Sequence, residues 1–346
     1  MTAPHHVSDV IERTPLTRCC AWLRNRPLLV IPLFLCLYGY GTIDTEAFRI
    51  LSAAPLTLHP DPGRQFLQFS PVVYFLGYPF TQVLGATWSF AIVMGGGLVL
   101  FAAALRQFAA VRYGDRQGDA MLMVFATPLL IVLTQYLGKS DLFMVSAFLL
   151  LVASSGAAAQ VALGAIVVLG HFEMGLLMLV AAIVLGILPR RAALGAIAGV
   201  VLLYGYHHAL LPAVPQSRAT VGTDFLSEAL TAVMNTPVLH LIFTFGAFWI
   251  CVLTAGPLGW RWRAAFVATL ALASATLDFT RVFTLLALPM IIAVIDRVLA
   301  HPADRPPAWL AVLPLLAFVQ VHLLSGYVFD SRIPEIAGRL IERLAR

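Results

Sequence analysis

Asp44 and Glu46 stand one residue apart in GYGTIDTEAFRIL, directly after an apolar run. Carboxylates are costly near hydrocarbon, and an ionisable group there is by default a functional candidate. Such a pair can serve as general base or hold a divalent cation, Mg2+ or Mn2+. Four more clusters follow: Lys139 and Asp141 in YLGKSDLF, His171 and Glu173 in LGHFEMG, His207 and His208 in YGYHH, and Asp278 and Arg281 in LDFTRVF. Lys and Arg at a membrane surface can hold a phosphate or pyrophosphate, and Arg suits bidentate contact. The bland reading of each cluster is helix-end solvation; Asp278 and Arg281, three apart, can pair across one turn. Taken together, the five point to one shared site.

The elements that carry them are membrane helices. The chain has 346 residues, 60% hydrophobic and only 11% charged, with a mean hydropathy of +0.89. Soluble domains carry about 25% charged residues. Long apolar runs between short polar clusters predict an all-α, polytopic transmembrane bundle. Segments of alternating hydropathy, the mark of a membrane barrel, are absent. Eleven spans are expected, near 28–43, 88–108, 119–137, 142–154, 158–170, 174–188, 193–212, 237–257, 264–277, 282–299 and 308–326. Those between Asp141 and Pro189 fall short of the roughly 20 residues a full crossing needs, which fits helices that are short, tilted or broken around a cavity.

Charge placement sets the expected orientation. The net charge of +5 comes from 22 basic residues, of which Lys139 is the single lysine. With the N-terminus cytoplasmic, thirteen basic residues fall in inner loops against five in outer segments, as the positive-inside rule requires. That spacing speaks for topology and against a nucleic-acid partner. The inner-loop acids Asp115, Asp119, Asp296 and Asp304 read as solvated. All five mixed clusters then lie at outer helix ends. The whole chain, 1–346, reads as a single transmembrane domain. Its basic segment 1–27 is cytoplasmic, and 44–87 forms a long first outer loop with amphipathic pieces on the membrane surface. An amphipathic tail, 327–346, has apolar residues at helical spacing. The four cysteines show no CxxC spacing and support neither a disulfide nor a metal site. No Gly-rich phosphate loop is present, so a lipid-borne donor is expected over a soluble nucleotide.

The Asp44-Thr45-Glu46 pair at the outer end of the first helix, followed by a long outer loop, resembles the GT-C superfamily of polytopic membrane glycosyltransferases. That resemblance implies a lipid-linked sugar donor, Asp44 as catalytic base, and Glu46 as a second acidic or metal-binding group. The expected reaction is inverting transfer from a polyprenyl-phosphate sugar to a lipid-linked or envelope glycan acceptor, at the outer face of a bacterial inner membrane. Arg281 and Lys139 would neutralise the departing phosphate. Asp141, His171, Glu173, His207 and Asp278 would position sugars or complete a metal site. Asp61 and Arg64, in the turn of the outer loop, are alternative catalytic candidates. Three rival readings stand beside this one: an O-antigen-polymerase or ligase-like enzyme, a lipid-linked-glycan transporter or flippase, and a non-catalytic envelope-assembly subunit. A transporter predicts charge along mid-helix and internally repeated halves; the helix interiors here are nearly free of charge, and no duplication is visible.

Overall fold

The computed structural model describes residues 15–42, 44–216, 223–276, 278–300, 308–318, 322–324 and 327–329. They are helical apart from one short antiparallel hairpin, which pairs His322–Leu324 with Tyr327–Phe329. Among the described residues, three helical stretches are long and apolar enough to cross a membrane: Ala86–Phe125, Arg190–Leu210 and Pro237–Thr254. Two more pairs qualify only when joined across bends, Arg18–Asn25 with Pro27–Tyr38 at 102° and Phe279–Leu286 with Leu288–Leu299 at 55°. That makes three to five candidate spans, where the hydropathy pattern predicts eleven.

The differences have local causes. The first expected span stops at Tyr38, where Gly39 turns with φ 73°. The expected 119–137 helix breaks into Gln117–Phe125 and Leu129–Gln135. Pro128 has no N–H to continue the ladder, and the Thr127 hydroxyl bonds both the Val124 carbonyl (2.6 Å) and the Leu129 amide (3.2 Å). Asp141–Ala153, Ala157–Gly170 and Phe172–Val184 have 13, 14 and 13 residues. At 1.5 Å per residue each is about 20 Å long, against a hydrocarbon thickness of about 30 Å. The span expected at 308–326 is not one helix: it contains the short turns Ala308–Ala311 and Leu313–Leu316 and the first strand of the hairpin. Residues 1–14 of the basic segment and 330–346 of the expected amphipathic tail lie outside the described residues; Tyr327–Phe329, also expected in that tail, is strand.

The stretch expected as a long loop, 44–87, is ordered and packed. It folds into Thr45–Ala53, the 3-10 segment Pro62–Phe69, and Val72–Leu84. Phe48 anchors it, fully buried, with its ring 5.3 Å from Phe90 and 6.5 Å from Tyr74. Gly77 lets the two helices meet, since a Cβ there would lie 2.6 Å from the Phe48 ring. The outward side of Val72–Leu84 carries exposed Phe75, Leu76, Tyr78, Phe80 and Val83. An apolar exterior of this kind is what a helix in contact with lipid requires.

Close packing in the middle of the bundle depends on small residues. Ala157–Gly170 crosses Ala193–Gly205 at Gly164 and Gly195, where a Cβ on Gly195 would sit 2.9 Å from the Gly164 Cα and 2.9 Å from the Val161 carbonyl oxygen. Close backbone approach is a main source of helix association in lipid. Gly195→Val is expected to cost about 1–3 kcal/mol through overpacking. Gly96→Ala, in open space, is expected to change nothing. Melting of both variants in detergent checks the pair.

Candidate functional site

Most of the clustered residues converge. The frame is Arg281, 1% exposed, on the Phe279–Leu286 helix. Its Nε donates to Asp141 Oδ2 at 2.6 Å and its Nη2 to Asp141 Oδ1 at 3.0 Å, a bidentate pair joining residues 140 apart in sequence. Its Nη1 donates to Asp278 Oδ2 at 3.2 Å, and the Tyr136 hydroxyl donates to the other oxygen of Asp278 at 2.5 Å. A buried ion is tolerated only when its hydrogen-bonding groups are met in this way. Arg281 and Lys139 each lie 5.1 Å from the centre of the Tyr136 ring, in reach of its negative face.

Lys139 sits in the turn between Leu129–Gln135 and Asp141–Ala153. Gly138 makes that turn with φ 114°, and its N–H donates to the Met94 sulfur at 3.2 Å. The segment leading to Asp44 is docked onto the same turn by backbone alone. The Gly41 N–H donates to the Thr134 carbonyl at 3.1 Å, and Thr42 bridges to Leu137. Only glycine fits at 41, because a Cβ would meet the Gln135 carbonyl oxygen at 2.5 Å.

This docking presents the Asp44 carboxylate to the Lys139 ammonium, Oδ2 to Nζ 3.8 Å, with the side chains 22% and 14% exposed. Asp44 is the one non-glycine among the described residues with positive φ (60°), a left-handed state that Asp adopts more readily than most. It stands at the N-cap of Thr45–Ala53, yet its side chain makes no capping bond. An N-cap Asp ordinarily spends its carboxylate on the helix amides. Here that carboxylate faces Lys139 instead, and such local strain gathers at functional positions.

Lys139, Ser140, His171, Glu173 and Arg281 line a cavity of about 120 Å³, walled on its apolar side by Phe66, Phe69, Phe172 and Tyr74. Of the nine residues given a part in the expected transfer, seven therefore gather here: Asp44, Lys139, Asp141, His171, Glu173, Asp278 and Arg281. Two do not. Glu46 is exposed and 3.7 Å from Arg64, which also lies 3.6 Å from Asp61. His207 is set behind the wall, its Nε2 3.2 Å from the Gln68 carbonyl oxygen and its ring 4.4 Å from Phe69. Asp61 caps its own turn by accepting from the Gly63 amide at 2.9 Å. Neither it nor Arg64 lines the cavity.

Burial, and then the neighbouring Arg281 cation, push the Lys139 ammonium down to about 8. The Arg281 guanidinium is engaged by two carboxylates, so its role toward a ligand is to hold Asp141 and Asp278. Among the described residues, Asp44 and Glu46 do not share a donor set for a divalent cation. Asp44 faces Lys139 and Glu46 faces Arg64, and no group of three or more His, Cys, Asp or Glu among the described residues is placed to hold a metal ion. What the arrangement offers is the Lys139 ammonium facing the Asp44 carboxylate, with His171 and Glu173 also at the wall of an aromatic-sided hollow. That is suited to an anion bearing an apolar or sugar substituent, with an acid–base group alongside.

Tyr136 was not among the residues singled out. It sits in an apolar run, and only its place three residues before Lys139 ties it to the cluster. Of the four aspartates expected in solvated inner loops, Asp115 is exposed and Asp304 lies outside the described residues; the other two pair with arginines. Asp119 is 3% exposed and meets Arg24 at 2.6 Å. Asp296 takes a bidentate grip from Arg112, at 2.8 and 2.6 Å, and accepts from the Tyr113 hydroxyl at 3.0 Å. Arg112 and Asp296 are half-buried, and Arg24 reaches from the exposed side to the buried Asp119. No protein-family model, curated protein or solved structure matches this chain.

Proposed function

We propose that this chain is a membrane glycosyltransferase of the GT-C type. It moves a sugar from a polyprenyl-phosphate donor to a lipid-linked or envelope glycan acceptor, with inversion at the anomeric carbon. On this reading the Asp44–Lys139 end of the bundle faces the non-cytoplasmic side of a bacterial inner membrane. The N-terminus is cytoplasmic, and the short apolar helices complete a polytopic bundle of about eleven membrane segments. The observation that carries the reading is the juxtaposition of Asp44 and Lys139, 3.8 Å apart, beside a hollow with aromatic walls.

Asp44 takes the proton of the acceptor hydroxyl as its oxygen bonds to the anomeric carbon. The bond from that carbon to the phosphate oxygen breaks, and the electron pair leaves with the phosphate. Lys139 faces the charge that develops there, the usual main contribution of preorganised electrostatics. Phe66, Phe69 and Phe172 flank the sugar or the first isoprene. The Arg281–Asp141–Asp278 frame positions the Lys139 turn. Asp44 and Glu46 diverge, and this route assigns no step to a metal.

The test is direct. Full-length protein in proteoliposomes, supplied with polyprenyl-phosphate sugars and a crude glycolipid acceptor fraction, is expected to release polyprenyl phosphate and yield a product of opposite anomeric configuration. Absence of release with every donor in the panel sinks the proposal.

Lys139 adds a pH signature. The donor is a phosphodiester whose single charge is constant across this range, so donor binding is expected to weaken as pH rises through about 8. Lys139→Arg, which stays charged, is expected to remove that limb. Fold stability runs the other way. From the folded value of about 8 up to the ordinary 10.5, the unfolded chain holds more protons, so stability rises with pH. Wild-type donor affinity that stays flat from pH 7 to about 9.5 would separate Lys139 from the phosphate.

A further inference from the structure

A second and larger cavity, about 810 Å³, lies further along the Ala86–Tyr113 helix, walled by residues 24–29, Arg106 and the 115–121 turn. Met94, which touches the first site through Gly138, and Arg106 are twelve residues apart on that helix, about 18 Å of rise. The two hollows are therefore separate. Four arginines line the second, Arg24, Arg26, Arg106 and Arg116, together with the carboxylates Asp115 and Asp119. Arg24 and Arg116 share Asp119, at 2.6 and 3.9 Å. Arg26 lies 5.3 Å from the Trp22 ring. Neither Arg26 nor Arg106 forms an ion pair with a carboxylate among the described residues.

Gathering like charges from three separate segments costs energy. A topology signal needs only charge in a loop, not a walled cavity. Two of its wall segments are closely packed, since a Cβ on Gly118 would lie 2.6 Å from the Arg24 carbonyl oxygen. Its wall is mixed, with Leu28 and Leu29 beside the guanidinium groups. It lies at the 102° bend between Arg18–Asn25 and Pro27–Tyr38. In the orientation taken under the proposed function, on which this inference rests, the corner would lie at the cytoplasmic headgroup depth.

We propose that this cavity binds a phosphate group, that of an anionic phospholipid headgroup, between Arg26 and Arg106, with the glycerol and first methylenes against Leu28 and Leu29. A soluble phosphate shares the same chemistry. Full-length protein in neutral detergent is titrated with short-chain phosphatidylglycerol, phosphatidylcholine and inorganic phosphate, and binding is read by native mass spectrometry. Phosphatidylglycerol is expected to bind more tightly than phosphatidylcholine. The double variant Arg26→Gln, Arg106→Gln is expected to weaken it roughly tenfold or more, the loss of charge-assisted contacts worth at least ~1.4 kcal/mol. Both side chains are exposed, so the variant should melt as wild type; Arg106→Gln alone serves if it does not. Arg263→Gln, whose side chain donates to the Leu258 carbonyl at 3.2 Å elsewhere, is expected to leave binding unchanged. Competition by inorganic phosphate at matching concentration assigns a soluble source, and its absence assigns the lipid. Equal binding of the two lipids, or a variant that holds phosphatidylglycerol as wild type does, overturns the proposal.

Discussion

Arg281→Met is expected to destabilise the protein by about 3–5 kcal/mol, because it strands a buried charge instead of merely deleting a contact. Asp141, 2% exposed, loses both of its short bonds to the guanidinium. Arg281→Lys should recover little, since one ammonium cannot reproduce a bidentate grip on Asp141 together with a third bond to Asp278. The informative variant is the double replacement Arg281→Met, Asp141→Leu. Apolar pairs of similar volume often match or exceed a buried ion pair in stability, so this variant should regain most of the loss. Unfolding in detergent micelles reads all three. If the double variant unfolds as easily as Arg281→Met alone, the single-site loss does not come from the uncompensated carboxylate.

The second large effect is chemical. Asp44→Asn is expected to lower turnover by ~10²–10⁴-fold, the usual contribution of a positioned acid or base, while the melting temperature stays close to wild type. Asn also tolerates the left-handed backbone at this position, and the Asp44–Lys139 pair is partly exposed. Pairs near solvent contribute about 0–1 kcal/mol, so activity and stability should part company. Glu46→Gln is expected to leave turnover nearly intact. Turnover retained in Asp44→Asn would remove this carboxylate from the mechanism, and loss in Glu46→Gln alone would shift the site to the exposed side of Thr45–Ala53.

Much of the site was legible because charge in a membrane protein is sparse. Lys139 with Asp141, and Asp278 with Arg281, stood out as polar residues at the ends of apolar runs, and they meet. The D-x-E pair misled for a geometric reason. In an extended strand, residues i and i+2 point the same way, and the pair then reads as one site. Here the helix begins at Thr45, and two steps of about 100° turn Glu46 away from Asp44. His207 misled because adjacency in hydropathy carries no depth; one phenylalanine, Phe69, separates it from the hollow. Three to five stretches among the described residues are long enough to span where hydropathy predicts eleven, and the gap is one of length. Hydropathy finds apolar segments, but Pro128, Gly39 and the bend before Pro289 decide which are continuous. The arginine–aspartate pairs of the other end were invisible because the partners are far apart in sequence, as Arg112 and Asp296 are at 184 residues.

The span of 140 residues between Asp141 and Arg281 also bears on biosynthesis. At roughly 5–20 residues per second, Asp141 leaves the ribosome about 7–28 s before its partner exists. In that interval Asp141 lacks its bidentate partner and has only nearer groups or a proton to offset its charge. The frame of the site therefore closes only once the Phe279–Leu286 helix has been made, and that helix is its late clasp.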